Sequence, residues 1–280
     1  MQPFGIIITF ASKMMELEKL CEAVITIAKA AGAFIAGERT NFDLASVETK
    51  GKANFVSYVD KKAEELIVDE LRKLLPGSGF ITEEGTAFDQ GETYRWVIDP
   101  LDGTTNFIHG MPPYAVSIGL MEGDEIILGV VFEISRAECF YAWKGSKAML
   151  NGKEIRVSEA ASSRDALIST GFPYGEFKYA DEFIETFKYF MANSHGVRRL
   201  GSAATDLCYV ASGRFEAFWE RGLSPWDVAA GSIILRQAGG KVSDFRGNNI
   251  FLFSGETVAA NYNYFSEFQS IIENYYCKKQ

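Results

Sequence analysis

Histidine is nearly absent: the 280 residues contain only His109 and His195. A zinc site built on histidine and cysteine therefore has too few ligands. The four cysteines, Cys21, Cys139, Cys208 and Cys277, are scattered and form no C-x-x-C pair. A secreted disulfide scaffold is short and cysteine-dense, so these read as small buried hydrophobes. No run of 18 apolar residues occurs. The apolar stretch Phe4–Phe10 is too short to span a bilayer, and no basic segment precedes it as in a signal peptide. Positive charge is also in deficit. Lys plus Arg is 28 against 37 Asp plus Glu, a net charge of −9, so no basic face for nucleic acid is expected. An anionic substrate stays compatible, because bound cations can reverse a local field.

Several catalytic signatures are missing as well. No G-x-x-x-x-G-K-[ST] exists for a P-loop, and no G-x-S-x-G for a hydrolase elbow. No G-x-G-x-x-G follows a strand. A dehalogenase-type phosphatase needs a second Asp two residues after its nucleophile, and position 101 is Leu. What remains is ordinary for a globular protein, with 47% hydrophobic and 23% charged residues. A chain of this length buries roughly 75% of its unfolded surface and needs no staples. A soluble, cytoplasmic protein is expected.

Residues 1–13 read as an N-terminal extension. From Met14 to about Ala36, Leu17, Leu20, Cys21, Val24, Ile27, Ala28, Ala31 and Ile35 recur at offsets of three and four, which predicts an amphipathic helix ended by Gly37. A second helix is predicted from Val59 to Leu75, capped by Asp60, with Leu66, Ile67, Leu71 and Leu74 buried and Pro76-Gly77 as the stop. Strands follow at 80–82, 94–98, 115–121, 125–134 and 138–143. Their spacing suggests an antiparallel meander. After that the pattern alternates. Strands are expected at 167–170 and 215–219, and helices at 181–192, 203–212, 227–237 and from about Tyr264. The chain thus divides into an α+β half, 14–155, and an α/β half, 156–280, in one compact unit.

The chemistry concentrates in Trp96-Val-Ile-Asp99-Pro-Leu-Asp102-Gly-Thr-Thr-Asn106. Pro100 cannot donate to a sheet ladder, so the strand must stop or become an edge there. Gly103 allows a tight turn, and Thr104-Thr105 opens a helix with free N–H groups. Carboxylates gather hard cations and free N–H groups receive phosphate. Aspartates that merely cap a turn would look the same. Two further acidic elements share this ambiguity. Ile81-Thr-Glu83-Glu84-Gly85 could be a solvated loop. Asp227, in Glu220-Arg-Gly-Leu-Ser-Pro-Trp-Asp227, could be a simple helix cap.

Taken together, Ile81–Gly85, Trp96–Phe107 and Trp226-Asp-Val-Ala-Ala-Gly231 resemble the inositol monophosphatase family. Their order and separations agree, and the likeness runs from about Met14 to the C-terminus. The resemblance implies a layered αβαβα sandwich of mixed α/β class and the hydrolysis of phosphate monoesters with two magnesium ions. A third ion would meet Asn54, an amide and a weaker ligand, where many members carry Asp. Glu83, Asp99, the Leu101 carbonyl, Asp102 and Asp227 would be metal ligands. Glu83 and Thr104, with Asp102 beside them, would orient and deprotonate the attacking water. The backbone from Leu101 to Thr104 would hold the phosphate. Gly201, Ser202, Ala203, Glu220 and Asp227 would meet the substrate, with Glu220 on ring hydroxyls. Glu84 and His109 receive no direct role. The resemblance further implies inositol 1-phosphate as substrate, lithium sensitivity, and a homodimer with no membrane or nucleic-acid partner. Fructose 1,6-bisphosphate, NADP and 3'-phosphoadenosine phosphate are alternative substrates, and a regulatory binding protein of the same fold is the alternative role.

Overall fold

The structure is a computed structural model and describes residues 10–40, 47–49, 55–87, 89–91, 93–174 and 177–277. Asn54 lies outside the described residues, as do residues 1–9 of the expected extension.

The chain opens with helix α1 (Phe10–Arg39), which starts earlier than Met14 and continues past Gly37. A short antiparallel pair follows, β1 (Val47–Thr49) and β2 (Phe55–Ser57). Next come helix α2 (Tyr58–Leu74) and strands β3 (Gly79–Thr82) and β4 (Tyr94–Asp102). Helix α3 (Thr104–His109) leads into β5 (Ala115–Glu122), β6 (Glu125–Glu133), β7 (Glu138–Trp143), β8 (Met149–Leu150) and β9 (Lys153–Glu154). Strands β3 to β9 form one sheet in chain order. The β3–β4 pair is parallel and the rest is the antiparallel meander that the turn spacing predicts.

The second half supplies β10 (Leu167–Thr170), α4 (Ala180–Asn193), β11 (Gly196–Arg198), α5 (Ala203–Ala211), β12 (Ala217–Arg221) and α6 (Pro225–Gln237). It ends with β13 (Lys241–Ser243), α7 (Phe251–Ser254), β14 (Glu256–Ala260) and α8 (Phe265–Tyr276). Its sheet has the order β11-β10-β12-β14-β13. The first three strands run parallel, and β14 is antiparallel to both neighbours.

Three apolar cores hold five layers together, the middle one spanning both faces of the α5/α6 layer. Helices α1 and α2 cover the outer face of the seven-stranded sheet through Val24, Ala28, Ile67, Leu71, Trp96 and Ile118. Helices α5 and α6 fill the space between the sheets with Leu207, Val210, Ala229, Ala230 and Ile234. Helices α4 and α8 cover the five-stranded sheet with Phe190, Phe268 and Ile272. The layered αβαβα sandwich is therefore observed. Helix α1 is long and apolar enough to cross a membrane by composition. Its stripe of Leu17, Cys21, Val24, Ala28, Ala31 and Ile35 is instead buried in the protein.

Helix α6 lies unusually close to the first sheet. Gly119 and Gly129 face each other across β5 and β6. A Cβ on Gly129 would sit 2.5 Å from the Ala230 carbonyl, and one on Gly119 would sit 3.1 Å from Ala229 Cβ. The missing side chains let the helix backbone settle on the strands. The Ser117 hydroxyl donates to the Trp226 carbonyl at 3.2 Å and fixes the N-terminal end of α6. This contact sets Asp227 against β4.

Two expectations about α2 need correction. Leu66 is 41% exposed rather than buried. The buried face of α2 runs instead through Val59, Asp60, Ala63, Glu64, Ile67, Val68 and Leu71. Asp60 is the third residue of that helix, not its cap. Pro100 does not end β4, which continues to Asp102 through a register shift between Asp99 and Asp102. The pairing with β3 stops at Ile98, so Pro100 lies where β4 has one sheet neighbour, as its missing donor requires.

Candidate active site

Each acidic residue of the three motifs is delivered by the end of an element. Asp99 lies in the irregular part of β4, 2% exposed, and its Oδ1 accepts the Leu101 N–H at 2.9 Å. Asp102 ends β4. Its Oδ2 accepts the Ser202 hydroxyl at 2.7 Å and the Ala204 N–H at 2.8 Å. Ser202 is the N-cap of α5, so one hydroxyl both caps a helix and fixes a carboxylate 100 positions earlier. Asp227 is the third residue of α6 behind the Ser224 cap. The Ser224 N–H donates to Asp227 Oδ2 at 2.6 Å, the return arm of a capping box. The capping role is therefore real, and it uses only one oxygen.

Oxygens of Asp99, Asp102 and Asp227 lie within 4.8 Å of one another. Glu83 joins them through hydrogen-bonding contact with Asp99. Its loop is held by Glu64, which accepts the Glu84 N–H, the Thr86 N–H and the Thr86 hydroxyl, each at 2.8 Å.

The group is short of positive charge, and its proton affinities show it. Burial, then the Asp60 charge, pushes Glu83 up to about 8, partly offset by its bond with Asp99. Burial, then Glu83, Asp102 and Asp227, holds Asp99 well above the usual carboxylate range. Asp227 is raised by burial and by Asp102. Asp102 rises least, to about 6, because the Ser202, Ala204 and Ala203 donors and the Arg199 cation oppose its burial. Crowded buried carboxylates either hold protons or share a cation. The donors present are all oxygen, with no cysteine or histidine among them, which fits a hard divalent ion such as magnesium.

Beside the cluster, Gly103 caps α3 at φ 91°. A Cβ there would lie 3.0 Å from the Pro113 carbonyl and 3.1 Å from the Gly201 carbonyl. Thr104 donates its hydroxyl to the buried Leu101 carbonyl at 3.0 Å. Asn106 donates at 2.8 Å to the Pro113 and Leu200 carbonyls, which joins α3 to the segment entering α5. Ser202 and Ala203 are buried behind Asp102, and Gly201 is partly exposed. Glu220 stands in β12 and is partly buried. Burial, then the charges of Asp206 and Asp227, raises its proton affinity. His109 is exposed at the far end of α3.

Four contributors escaped the motif reading: Asp60, Glu64, Asp206 and Arg199. The first two carried a signal. Acids four apart on the apolar stripe of a helix are rare unless they hold something. Asp206, 1% exposed in α5, sits on a helix that is buried all round, so no polar face marks it.

A mixed αβαβα sandwich with buried carboxylates clustered where its elements meet defines a layered α/β protein with a candidate metal-ion site. Residues 16–278 match the model of the inositol monophosphatase family, and the chain belongs to that family. It is 41% identical to the Nus factor SuhB of Pseudomonas aeruginosa over 262 residues, 92% of this chain and 97% of that one. It is 40% identical to an inositol-1-monophosphatase of Mesorhizobium japonicum over 248 residues, 88% and 93% of the two chains. The crystal structure of the extragenic suppressor protein suhB of Bartonella henselae superposes with a TM-score of 0.84 at 37% identity, covering 90% of this chain and 97% of that one.

Proposed function

We propose that the chain is a magnesium-dependent phosphate monoester hydrolase that converts inositol 1-phosphate and water to myo-inositol and phosphate. The observation that carries this reading is the convergence of Asp99, Asp102 and Asp227 within 4.8 Å from segments 125 or more residues apart. Glu83, Asp99, the Leu101 carbonyl, Asp102 and Asp227 would hold two magnesium ions. When bound, these supply positive charge to the phosphoryl oxygens and lower the proton affinity of the attacking water.

The remaining steps belong to the chain. The N–H groups of Gly103 and Thr104 would receive the phosphate. Thr104 already donates its hydroxyl hydrogen to the Leu101 carbonyl, so its oxygen is free to accept a hydrogen bond from the attacking water and orient it. Glu83 would take the water's other proton, an acceptance favoured by the Asp60 charge beside it. The water oxygen would bond to phosphorus as the bond to the inositol oxygen breaks on the opposite side, with no phospho-enzyme, and the proton taken from the water would be returned to the leaving oxygen to give the free hydroxyl. Glu220, from the second sheet, would accept a hydrogen bond from a ring hydroxyl. A homodimer and a cytoplasmic setting accompany this reading. Sedimentation checks the first and cell fractionation the second.

The test is phosphate release with magnesium from inositol 1-phosphate, fructose 1,6-bisphosphate, NADP and 3'-phosphoadenosine phosphate. Preferred turnover of the inositol ester is expected, and activity confined to a nucleotide overturns the role of Glu220. The name Nus factor carried by a 41% identical relative favours a second reading, a regulatory binding role on the same scaffold. It would be added to catalysis, since binding alone gives no reason to keep five metal-site residues together.

A further inference from the structure

The parallel strands β11, β10 and β12 end side by side. Ser169 pairs with Arg198 and Thr170 with Trp219, so the next residues along, Arg199, Gly171 and Glu220, emerge at one edge of the sheet. Ligands of open α/β sheets bind at this kind of edge, beyond the carboxyl ends of parallel strands. A Cβ on Gly171 would fall on the Glu220 carboxylate, and one on Gly201 would meet Arg199 Nη1 and lie 3.2 Å from Asn106 Nδ2. The guanidinium therefore stands between Glu220 and the phosphate loop.

Among the described residues Arg199 makes no ion pair or hydrogen bond, and its buried Nε has no acceptor. Its position is set by rings, with the guanidinium carbon 5.4 Å from the centroid of Phe172 and 5.2 Å from that of Tyr174. These rings meet edge to face at 5.8 Å and are 39% and 51% exposed, so the corner opens to solvent. Aromatic faces hold a guanidinium at little cost to its in-plane donors. Its charge opposes the burial-driven rise in proton affinity of Asp102, Asp206 and Glu220. A guanidinium with no bonded acceptor among the described residues, beside carboxyl acceptors, matches adjacent hydroxyls, since each hydroxyl can donate to one group and accept from the other.

We propose that Arg199 is a specificity-determining residue, donating to one ring hydroxyl of a phosphorylated polyol while a neighbouring hydroxyl donates to Glu220. This rests on the hydrolase reading above and adds the group that selects the polyol.

The test is steady-state kinetics of the full chain with magnesium on inositol 1-phosphate and on p-nitrophenyl phosphate, which has no ring hydroxyl. In Arg199→Gln, KM for the inositol ester relative to that for p-nitrophenyl phosphate is expected to rise about tenfold, about 1.4 kcal/mol. Its kcat should change less than its KM. Arg199→Lys, which keeps the charge and loses the planar fork, should show most of the same rise. An unchanged ratio, or equal losses on both esters, overturns the inference. A larger loss with fructose 1,6-bisphosphate overturns it in favour of recognition of a second phosphate. If Arg199→Gln melts well below wild type, Phe172→Ala frees the guanidinium and must move the ratio the same way. No movement there also refutes the idea. If wild type hydrolyses neither ester, the hydrolase reading itself fails. If it hydrolyses both with a ratio blind to Arg199, only this inference fails.

Discussion

Replacing Asp99 by Asn should make the metal-free protein more stable while abolishing its activity. Asp99 faces Asp102 and Asp227 within 4.8 Å. At that distance two full charges repel by about 3.5 kcal/mol at an effective dielectric near 20. Retained protons relieve much of this, so a net gain of about 1–3 kcal/mol is reasonable once Asp99 is neutral. Asparagine keeps the oxygen that accepts the Leu101 N–H at 2.9 Å, so no buried donor is orphaned. In a chain of this size about 1 kcal/mol moves the melt by roughly 2 °C. Asp99→Asn in chelator at pH 8 should therefore melt about 2–6 °C above wild type. The sign follows from linkage. Carboxyls raised in the folded state add stability below their unfolded values near 4, and lose it as pH climbs through the folded values, about 6 for Asp102 and about 8 for Glu83. At pH 5 the advantage of the variant should shrink. With magnesium the order should reverse, because wild type gains and the variant has lost a ligand. Turnover should fall by more than about 100-fold, since outer-shell changes alone cost 10–100-fold. Calorimetry with and without chelator reads all of this. A variant that melts below wild type in chelator at pH 8, with its magnesium gain intact, would refute the shared cation.

The magnesium-induced rise in the wild-type melt should itself grow from pH 6 to pH 8, as the raised carboxyls lose protons. A rise independent of pH would place the ion elsewhere. Ser202→Ala removes the α5 cap and a donor to Asp102, so it should cost about 1–2 kcal/mol in denaturant unfolding and raise the magnesium requirement of turnover. Glu64→Gln keeps the helix but breaks part of the three-donor hold on the Glu83 loop. Magnesium affinity should fall about tenfold with little change in far-ultraviolet dichroism. Gly103→Ala forces a side chain to φ 91° against two carbonyls. It should cost about 1–2 kcal/mol and raise KM for the phosphate ester.

Much of this site was legible because its residues sit at breaks in pattern. Asp99-Pro100 interrupts an apolar strand, Gly103 precedes a threonine pair, and Asp227 follows a Ser-Pro helix start. Each break alone could be a capped turn; the three together, in this order, marked the site. Strands β4 to β7 of the first sheet were equally clear, since turns separate their apolar runs, whereas β8 and β9 have two residues each and show no pattern. The second sheet was harder. Its strand β14, Glu-Thr-Val-Ala-Ala between β12 and β13, is small and nearly featureless, and its place depends on partners far along the chain. Edge strand β11 has three residues, too few to show any period. Arg199 was invisible for a different reason. It follows another arginine, and only the rings of Phe172 and Tyr174, 25 or more positions earlier, turn it from a surface charge into a fixed donor.

The arrangement also explains how a fold can tolerate four crowded acids. Asp99, Asp102 and Asp227 each have one oxygen satisfied by protein donors: the Leu101 N–H, the Ser202 and Ala204 pair, and the Ser224 N–H. These are charge-assisted bonds, individually stronger than neutral ones, and two of the three sets lie at helix N-termini, where partial positive charge helps. The anchors hold each carboxylate even when no ion is bound, so the chain can fold first and load its cation afterwards. The cluster itself depends on α6 resting directly on β5 and β6. A side chain at Gly129 would lift that helix, carry Asp227 away from Asp99, and leave three anchored carboxylates with nothing to share. The glycine pair under α6 is thus as much a part of the site as the acids, although neither glycine touches them.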